Sequence, residues 1–220
     1  MLIPHLIAIQ DEQPHRAAVN MAIDELLLQN LERPTLRIYR WAEPAVSFGY
    51  FTPIVEVEAL WPGRALVRRW TGGGIVPHGA DFTYTLLCPL GMPLTSRPPV
   101  ESYRVIHEAV AQAIAAHHSG ITLAGPPAPK ISNACFENAA QFDILAGAEK
   151  VAGAAQRRTR TGLLHQGSIQ MPGLDFTFGS ALADALAGNV TVEPLDTSLI
   201  PAAEALAASK YGTTAWTRRF

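Results

Sequence analysis

Only two cysteines, Cys88 and Cys135, occur in the 220 residues. That is too few for a disulfide framework and fits a reducing compartment, where a thiol is either buried filler or a nucleophile. An excess of one charge sign is lacking too. Seventeen Lys and Arg stand against 19 Asp and Glu, for a formal net charge of -2, which excludes a broad cationic footprint for nucleic acid or an anionic membrane surface. No apolar run approaches the roughly 20 residues that a membrane span needs. The longest, from Ile75 to Leu94, is interrupted by Pro77, His78 and Asp81. The opening Met1-Leu-Ile-Pro-His has neither the basic region nor the apolar core of a signal peptide, so a cytoplasmic location is expected. The charged fraction of 16% and apolar fraction of 48% exclude a disordered chain and supply enough apolar material for a core.

What is present has an ordered periodicity. Val19, Ala22, Ile23, Leu26 and Leu27 form one stripe at helical spacing over 17–30, ahead of the stop signal at Pro34. The period then shortens to two: 36–41, 45–50, 65–70 and 81–87 read as strands, with Thr71-Gly72-Gly73-Gly74 as a link between strands. Ser96-Arg-Pro-Pro opens a second helix reaching about His117, followed by a short strand at 121–124. Residues 125–138 are too rich in Pro and Asn for a regular element, and a loop of that length in a compact domain is functional or mobile. Three strands in a meander (142–145, 150–158 and 162–170) and two Ala-rich helices (180–187 and 200–211) complete the reading, with Gly212 as a C-cap. No linker separates domains. The expectation is one α/β (α+β) domain over 1–220, with a mixed, largely antiparallel sheet flanked by helices.

Three segments carry candidate chemistry. In Arg68-Arg69-Trp-Thr-Gly72-Gly73-Gly74-Ile-Val-Pro-His78, three glycines let the backbone approach a ligand, and the paired arginines suit a carboxylate or phosphate. The segment matches neither the phosphate loop nor the dinucleotide fingerprint, which needs a helix directly after it. Cys135 lies in the Pro/Asn-rich loop, where burial by regular packing is disfavoured; as a nucleophile it needs a basic partner. In Glu149-Lys150-Val-Ala-Gly153-Ala154-Ala-Gln156, small residues leave room for an extended ligand against a strand. Lys150 there is either a solvated hairpin lysine, or a positive charge or base at the cleft. His165 reads as a structural strand histidine unless it joins that cleft, and Cys88 as core.

Taken in order, Asn20-Met-Ala-Ile-Asp24-Glu25, Pro44-Ala-Val-Ser-Phe-Gly49, the Arg-Gly segment with His78, Lys150-Val-Ala-Gly153-Ala-Ala-Gln156 and His165-Gln-Gly167-Ser168 resemble the lipoate protein ligase and octanoyltransferase family over about residues 17–171. The resemblance implies a fold like the catalytic domains of biotin protein ligases and class II synthetases. It also implies transfer of an octanoyl or lipoyl group onto one lysine of a lipoyl carrier domain, the E2 of a 2-oxoacid dehydrogenase or a glycine cleavage H-type protein. Arg69, Gly72, Gly73 and Gly74 would line the acyl tunnel or hold the activated acyl group, His78, Gly153, Ala154 and His165 would join them in binding substrate, and Lys150 would contact the acyl carbonyl or phosphate. No metal centre, nucleic acid or membrane is implied.

Two branches differ in how the acyl group is activated. The transferases take octanoate from acyl carrier protein as a cysteine thioester and need no cofactor, whereas the ligases use ATP and Mg²⁺ to make an acyl-adenylate. Ala134-Cys135-Phe136-Glu137, fifteen residues before Lys150, resembles the loop cysteine of the transferase branch of Gram-positive type. The expected mechanism is therefore a Cys135 thioester with Lys150 as base. The alternative is an ATP-dependent ligase in which Lys150 and Arg69 hold the adenylate, and a further reading is a non-catalytic acyl-binding module.

Overall fold

The computed structural model describes residues 2–126 and 139–220. Two sheets organise it. Among the described residues the larger has eight strands in the order β11-β1-β2-β6-β10-β9-β8-β7, and the smaller has three in the order β4-β3-β5. The chain enters through a long strand, β1 (Ile3–His15), and turns into α1 (Ala17–Gln29). It leaves the large sheet after β2 (Thr35–Trp41) to build the small one from β3 (Ala45–Phe48), α2 (Ile54–Leu60), β4 (Ala65–Arg68) and β5 (Ile75–His78), and returns with β6 (Phe82–Pro89). After the short α3 (Pro93–Ser96) and long α4 (Pro99–Ala115) come β7 (Ile121–Leu123), β8 (Ile144–Ala146), β9 (Glu149–Arg158) and β10 (Gly162–Ile169). The chain closes with α5 (Phe176–Leu186), β11 (Ala187–Pro194), α6 (Ile200–Leu206) and α7 (Thr214–Thr217).

Both pairings of β1, with β11 and with β2, are parallel. The other pairings of the large sheet are antiparallel. The sheet is thus mixed and largely antiparallel, with helices against it, as its α/β patterning predicts.

Because side chains alternate across a strand, β1 feeds two cores, one on each face of the large sheet. Leu36, Ile38, Tyr84 and Leu86 meet Ile106 and Val110 of α4 and Leu182 of α5 on one face. Ile7 and Ile9 face the other way, against Val19 and Ile23 of α1 and Ala45 and Val67 of the small sheet. The second face also carries Arg37, fully buried between Asp11 (2.6 Å) and Asp24 (2.7 Å). A guanidinium with no water around it is held only by such partners. This network locks α1 onto the large sheet beneath the space that the small sheet roofs over. No helix among the described residues is long and apolar enough to cross a membrane.

The candidate active site

Between the two sheets runs a narrow, largely apolar cleft of about 400 Å³ including its mouth. Met21 of α1 and Tyr39 and Trp41 of β2 form one wall, Val76 and His78 of β5 another, and Gly153, Ala154 and Ala155 of β9 the third. Its roof is the glycine loop, seated against Gly49 just past the end of β3. A Cβ at Gly49 would lie 2.0 Å from the Gly73 carbonyl oxygen, so only glycine allows this approach, and Gly73 itself takes φ +84°.

The two arginines part company. Arg69 turns into the cleft, donating from Nη1 to Ser47 Oγ (2.7 Å) and from Nη2 to the carbonyls of Gly72 (3.0 Å) and Gly74 (2.9 Å). Arg68 turns away and donates to the carbonyls of Tyr50, Thr52 and Thr217 (2.7–2.8 Å). It ties the loop after Gly49 to the C-terminal segment. The pair is therefore not a joint anion clamp, because alternation along the strand sends the two side chains to opposite sides.

Lys150 begins β9 with a side chain only 4% exposed, and its Nζ lies 2.7 Å from Asp143 Oδ2. It is no solvated hairpin lysine. Asp143 also accepts from Tyr103 Oη (2.5 Å) and the Ala140 amide (2.7 Å). Tyr103 in turn accepts the N–H of Ala154, a residue of the cleft wall (3.0 Å). Burial, followed by the neighbouring Asp143, pushes the Tyr103 hydroxyl well above its ordinary pKa, so it stays a donor. The backbone entering Asp143 takes an uncommon shape, with Phe142 at φ +68°. His107 Nδ1 donates to the Phe142 carbonyl (2.7 Å) and the Phe142 amide donates to Ala124 (2.9 Å), which fixes that turn. A Cβ at Gly153 would fall 2.9 Å from both Cε and Nζ of Lys150. The room that small residues leave on this strand is, at Gly153, room for the lysine.

His78 closes the cleft at the small sheet. Its Nε2 is 2.6 Å from Ser47 Oγ, its Nδ1 is 2.7 Å from Asp81 Oδ2, and its ring stacks on Trp41 at 3.9 Å. Burial acts to raise the Asp81 pKa, but His78 and the donors of Ser168 and Gly79 outweigh it and leave the carboxyl below its ordinary range.

Of the residues singled out in the sequence, Arg69, Gly73, His78, Gly153 and Ala154 line one cleft, Gly72 and Gly74 hold Arg69 by their carbonyls, and Lys150 abuts Gly153. His165 does not join them. Its ring is fully buried behind the sheet, 3.3 Å from Tyr84 Oη and 3.1 Å from Gln156 Nε2. Burial, followed by the nearby His107, holds it well below the usual histidine pKa. Cys88 is core, its thiol pushed by burial to about 12. Cys135 lies outside the described residues. Ser47 stood in the Pro44-to-Gly49 motif without an assigned role, and Tyr103 and Asp143 were not singled out. Asp143 had a signal in standing seven residues before Lys150, whereas Tyr103 is brought in by tertiary contacts alone.

Residues 16–191 match the lipoyl protein ligase A/B catalytic domain. The chain is 33% identical over 173 residues to octanoyltransferase LipM of Oceanobacillus iheyensis, covering 74% of this chain and 63% of that protein. It is 31% identical over 166 residues to octanoyltransferase LipM of Staphylococcus aureus, covering 68% and 60%. It thus spans about three-fifths of the length of these curated relatives. Among solved structures, a lipoate-protein ligase A bound with ATP aligns with TM-score 0.73 at 20% identity over 99% of each chain. A bi-partite lipoate protein ligase from Thermoplasma acidophilum aligns with TM-score 0.69 at 18% identity, covering 99% and 97%. These likenesses show the fold, while the family match and the curated relatives show the lineage: the chain belongs to the lipoyl protein ligase A/B catalytic domain family.

Proposed function

We propose that the protein transfers an octanoyl group from acyl carrier protein to one lysine of a lipoyl carrier domain, through a thioester on Cys135 with Lys150 as base. The observation that carries this reading is the buried Lys150–Asp143 pair beside an apolar cleft roofed by the glycine loop. It combines a site for a medium-length acyl chain with a place to hold a proton. The octanoyltransferase relatives support the transferase branch. This reading needs no ATP and no metal. The acceptor is a lipoyl domain of a 2-oxoacid dehydrogenase or a glycine cleavage H-type protein.

In the first half-reaction Lys150 acts as the base that takes the Cys135 thiol proton, and Asp143, 2.7 Å from Nζ, stabilises the ammonium that results. The thiolate attacks the thioester carbonyl while backbone N–H groups of the glycine loop receive the oxyanion. The carrier thiolate leaves and takes the proton back from Lys150. In the second, the acceptor amine attacks the acyl-cysteine, Lys150 takes the amine proton, and the Cys135 thiolate is released and reprotonated. Arg69, tied to Ser47 and the loop carbonyls, keeps the roof in place over the chain.

The test is transfer from octanoyl carrier protein to a purified lipoyl domain without nucleotide. Wild-type protein should modify the domain and Cys135→Ala should not. Unimpaired turnover in Cys135→Ala overturns the reading, and pyrophosphate release with ATP, Mg²⁺ and lipoate would point instead to the ligase.

A further inference from the structure

The acyl cleft holds a second constellation that the proposed transfer does not use. Ser47 on β3 and His78 on β5 lie diagonally across one antiparallel pair, in which Ala45 opposes His78 and Ser47 opposes Val76. Asp81 follows in the turn, its Oδ1 receiving the Gly79 amide (3.1 Å). The contacts are Ser47 Oγ to His78 Nε2, 2.6 Å, and His78 Nδ1 to Asp81 Oδ2, 2.7 Å. Thr83 (2.9 Å) and Ser168 (2.7 Å) of the large sheet also donate to Asp81 Oδ2, so the carboxylate is anchored on strands and not on a loose loop.

Arg69 can only donate, so Ser47 Oγ accepts from its Nη1 at 2.7 Å. Asp81 accepts from Nδ1–H. In the tautomer with its one proton on Nδ1, His78 presents the Nε2 lone pair to the Ser47 hydroxyl. This is the arrangement of a nucleophile, a base and an orienting carboxylate, and both Ser47 and His78 face the cleft. A serine serving only to hold Arg69 needs no aspartate-backed imidazole on its other side; any main-chain carbonyl would take its proton.

We propose that Ser47, His78 and Asp81 form an independent hydrolytic centre that cleaves medium-chain acyl esters and thioesters bound in the cleft. Ser47 Oγ forms a bond to the acyl carbonyl carbon as its proton passes to His78 Nε2, and Asp81 stabilises the imidazolium. Arg69 Nη1 is the charged donor beside the developing oxyanion. The bond from carbonyl carbon to the leaving sulfur or oxygen breaks, and His78 returns the proton to that group. Water, deprotonated by His78, then cleaves the Ser47 ester. The net reaction consumes one water and yields a free acid and a thiol or alcohol. The centre shares the acyl cleft and Arg69 with the proposed transfer but needs neither Cys135 nor a carrier lysine.

The test uses the full chain carrying Cys135→Ala, which removes the thiol chemistry and leaves the Ser47 centre intact. A fluorophosphonate should leave its adduct on the Ser47 peptide. p-Nitrophenyl octanoate should be hydrolysed at least 100-fold above the buffer rate, with His78→Gln slowing both reactions at least 100-fold and Ser47→Ala abolishing them. The proposal is overturned if the Cys135→Ala chain releases no p-nitrophenol above buffer, or if the release persists in Ser47→Ala. Should Ser47→Ala fail to fold, the presence or absence of the Ser47 adduct on the Cys135→Ala chain decides alone. Failure of the transfer reading appears separately, as octanoylation of the lipoyl domain by Cys135→Ala.

Discussion

Gly153→Ala is the smallest change that reaches Lys150 without touching it. The added Cβ would sit 2.9 Å from both Cε and Nζ of Lys150 and 3.3 Å from Asp143 Oδ1. Ordinary carbon contacts begin near 3.5 Å, so the lysine tip must retreat by about 0.6 Å. The strand cannot yield, because Gly153 is paired with Ser168 of β10, but an unbranched lysine end can. Overpacking of this kind costs about 1–3 kcal/mol, so the protein should stay folded with a lower urea midpoint. A displacement approaching 1 Å at a reacting group costs up to about 100-fold in rate. We therefore expect kcat/KM for octanoyl transfer to the lipoyl domain to fall by about 30- to 100-fold in the folded variant. Transfer kinetics and urea unfolding on the same preparation separate the two effects. A folded Gly153→Ala protein with wild-type kcat/KM refutes the assignment of Lys150, whatever its stability.

Three further outcomes follow from buried polar groups. Arg37→Met strands the Asp11 and Asp24 carboxylates and should cost at least about 3–5 kcal/mol by thermal or urea denaturation; a loss under about 1 kcal/mol contradicts the network's role. Burial lowers His107 to about 4, so as pH falls below about 6.5 the unfolded chain takes up a proton that the folded chain refuses. His107 thus lowers stability by about 3 kcal/mol between pH 6.5 and 4, and His107→Gln should flatten the pH dependence of unfolding there by one proton; an unchanged slope counts against it. Tyr103→Phe removes the donor to Asp143 and the acceptor of the Ala154 amide; it should cost about 1–3 kcal/mol in the urea midpoint, and no shift would argue against the bridge.

The helix α4 was legible because it buries one face, which leaves a periodic signature; α1 and β10, buried over most of their residues, were legible through their apolar residues and the stop and turn signals beside them. β1 was not. Leu6 and Ala8 enter one core while Ile7 and Ile9 enter the other, so burial on both faces erases the alternation, as it does in parallel strands generally. Pro4 and Pro14 further disguise the segment as loop. β11 is exposed over most of its length and is defined by pairing with β1. In the site, Arg69, His78, Gly153 and Lys150 were legible through the ordered motifs. Asp143 was read only as part of a strand, because its meaning depends on which lysine faces it. His165 was placed with the cleft through the His165-Gln-Gly167-Ser168 motif, although alternation along β10 buries it behind the sheet while its neighbour Gln166 lines the cleft.

The central claim is a covalent one, and intact-protein mass spectrometry tests it most directly. After brief incubation with octanoyl carrier protein and no acceptor, the chain should gain the mass of one octanoyl group, released by hydroxylamine and mapped to the Cys135 peptide. Adding a lipoyl domain should discharge it onto the acceptor lysine at the rate of turnover. Product formation with Cys135 unmodified throughout contradicts the account.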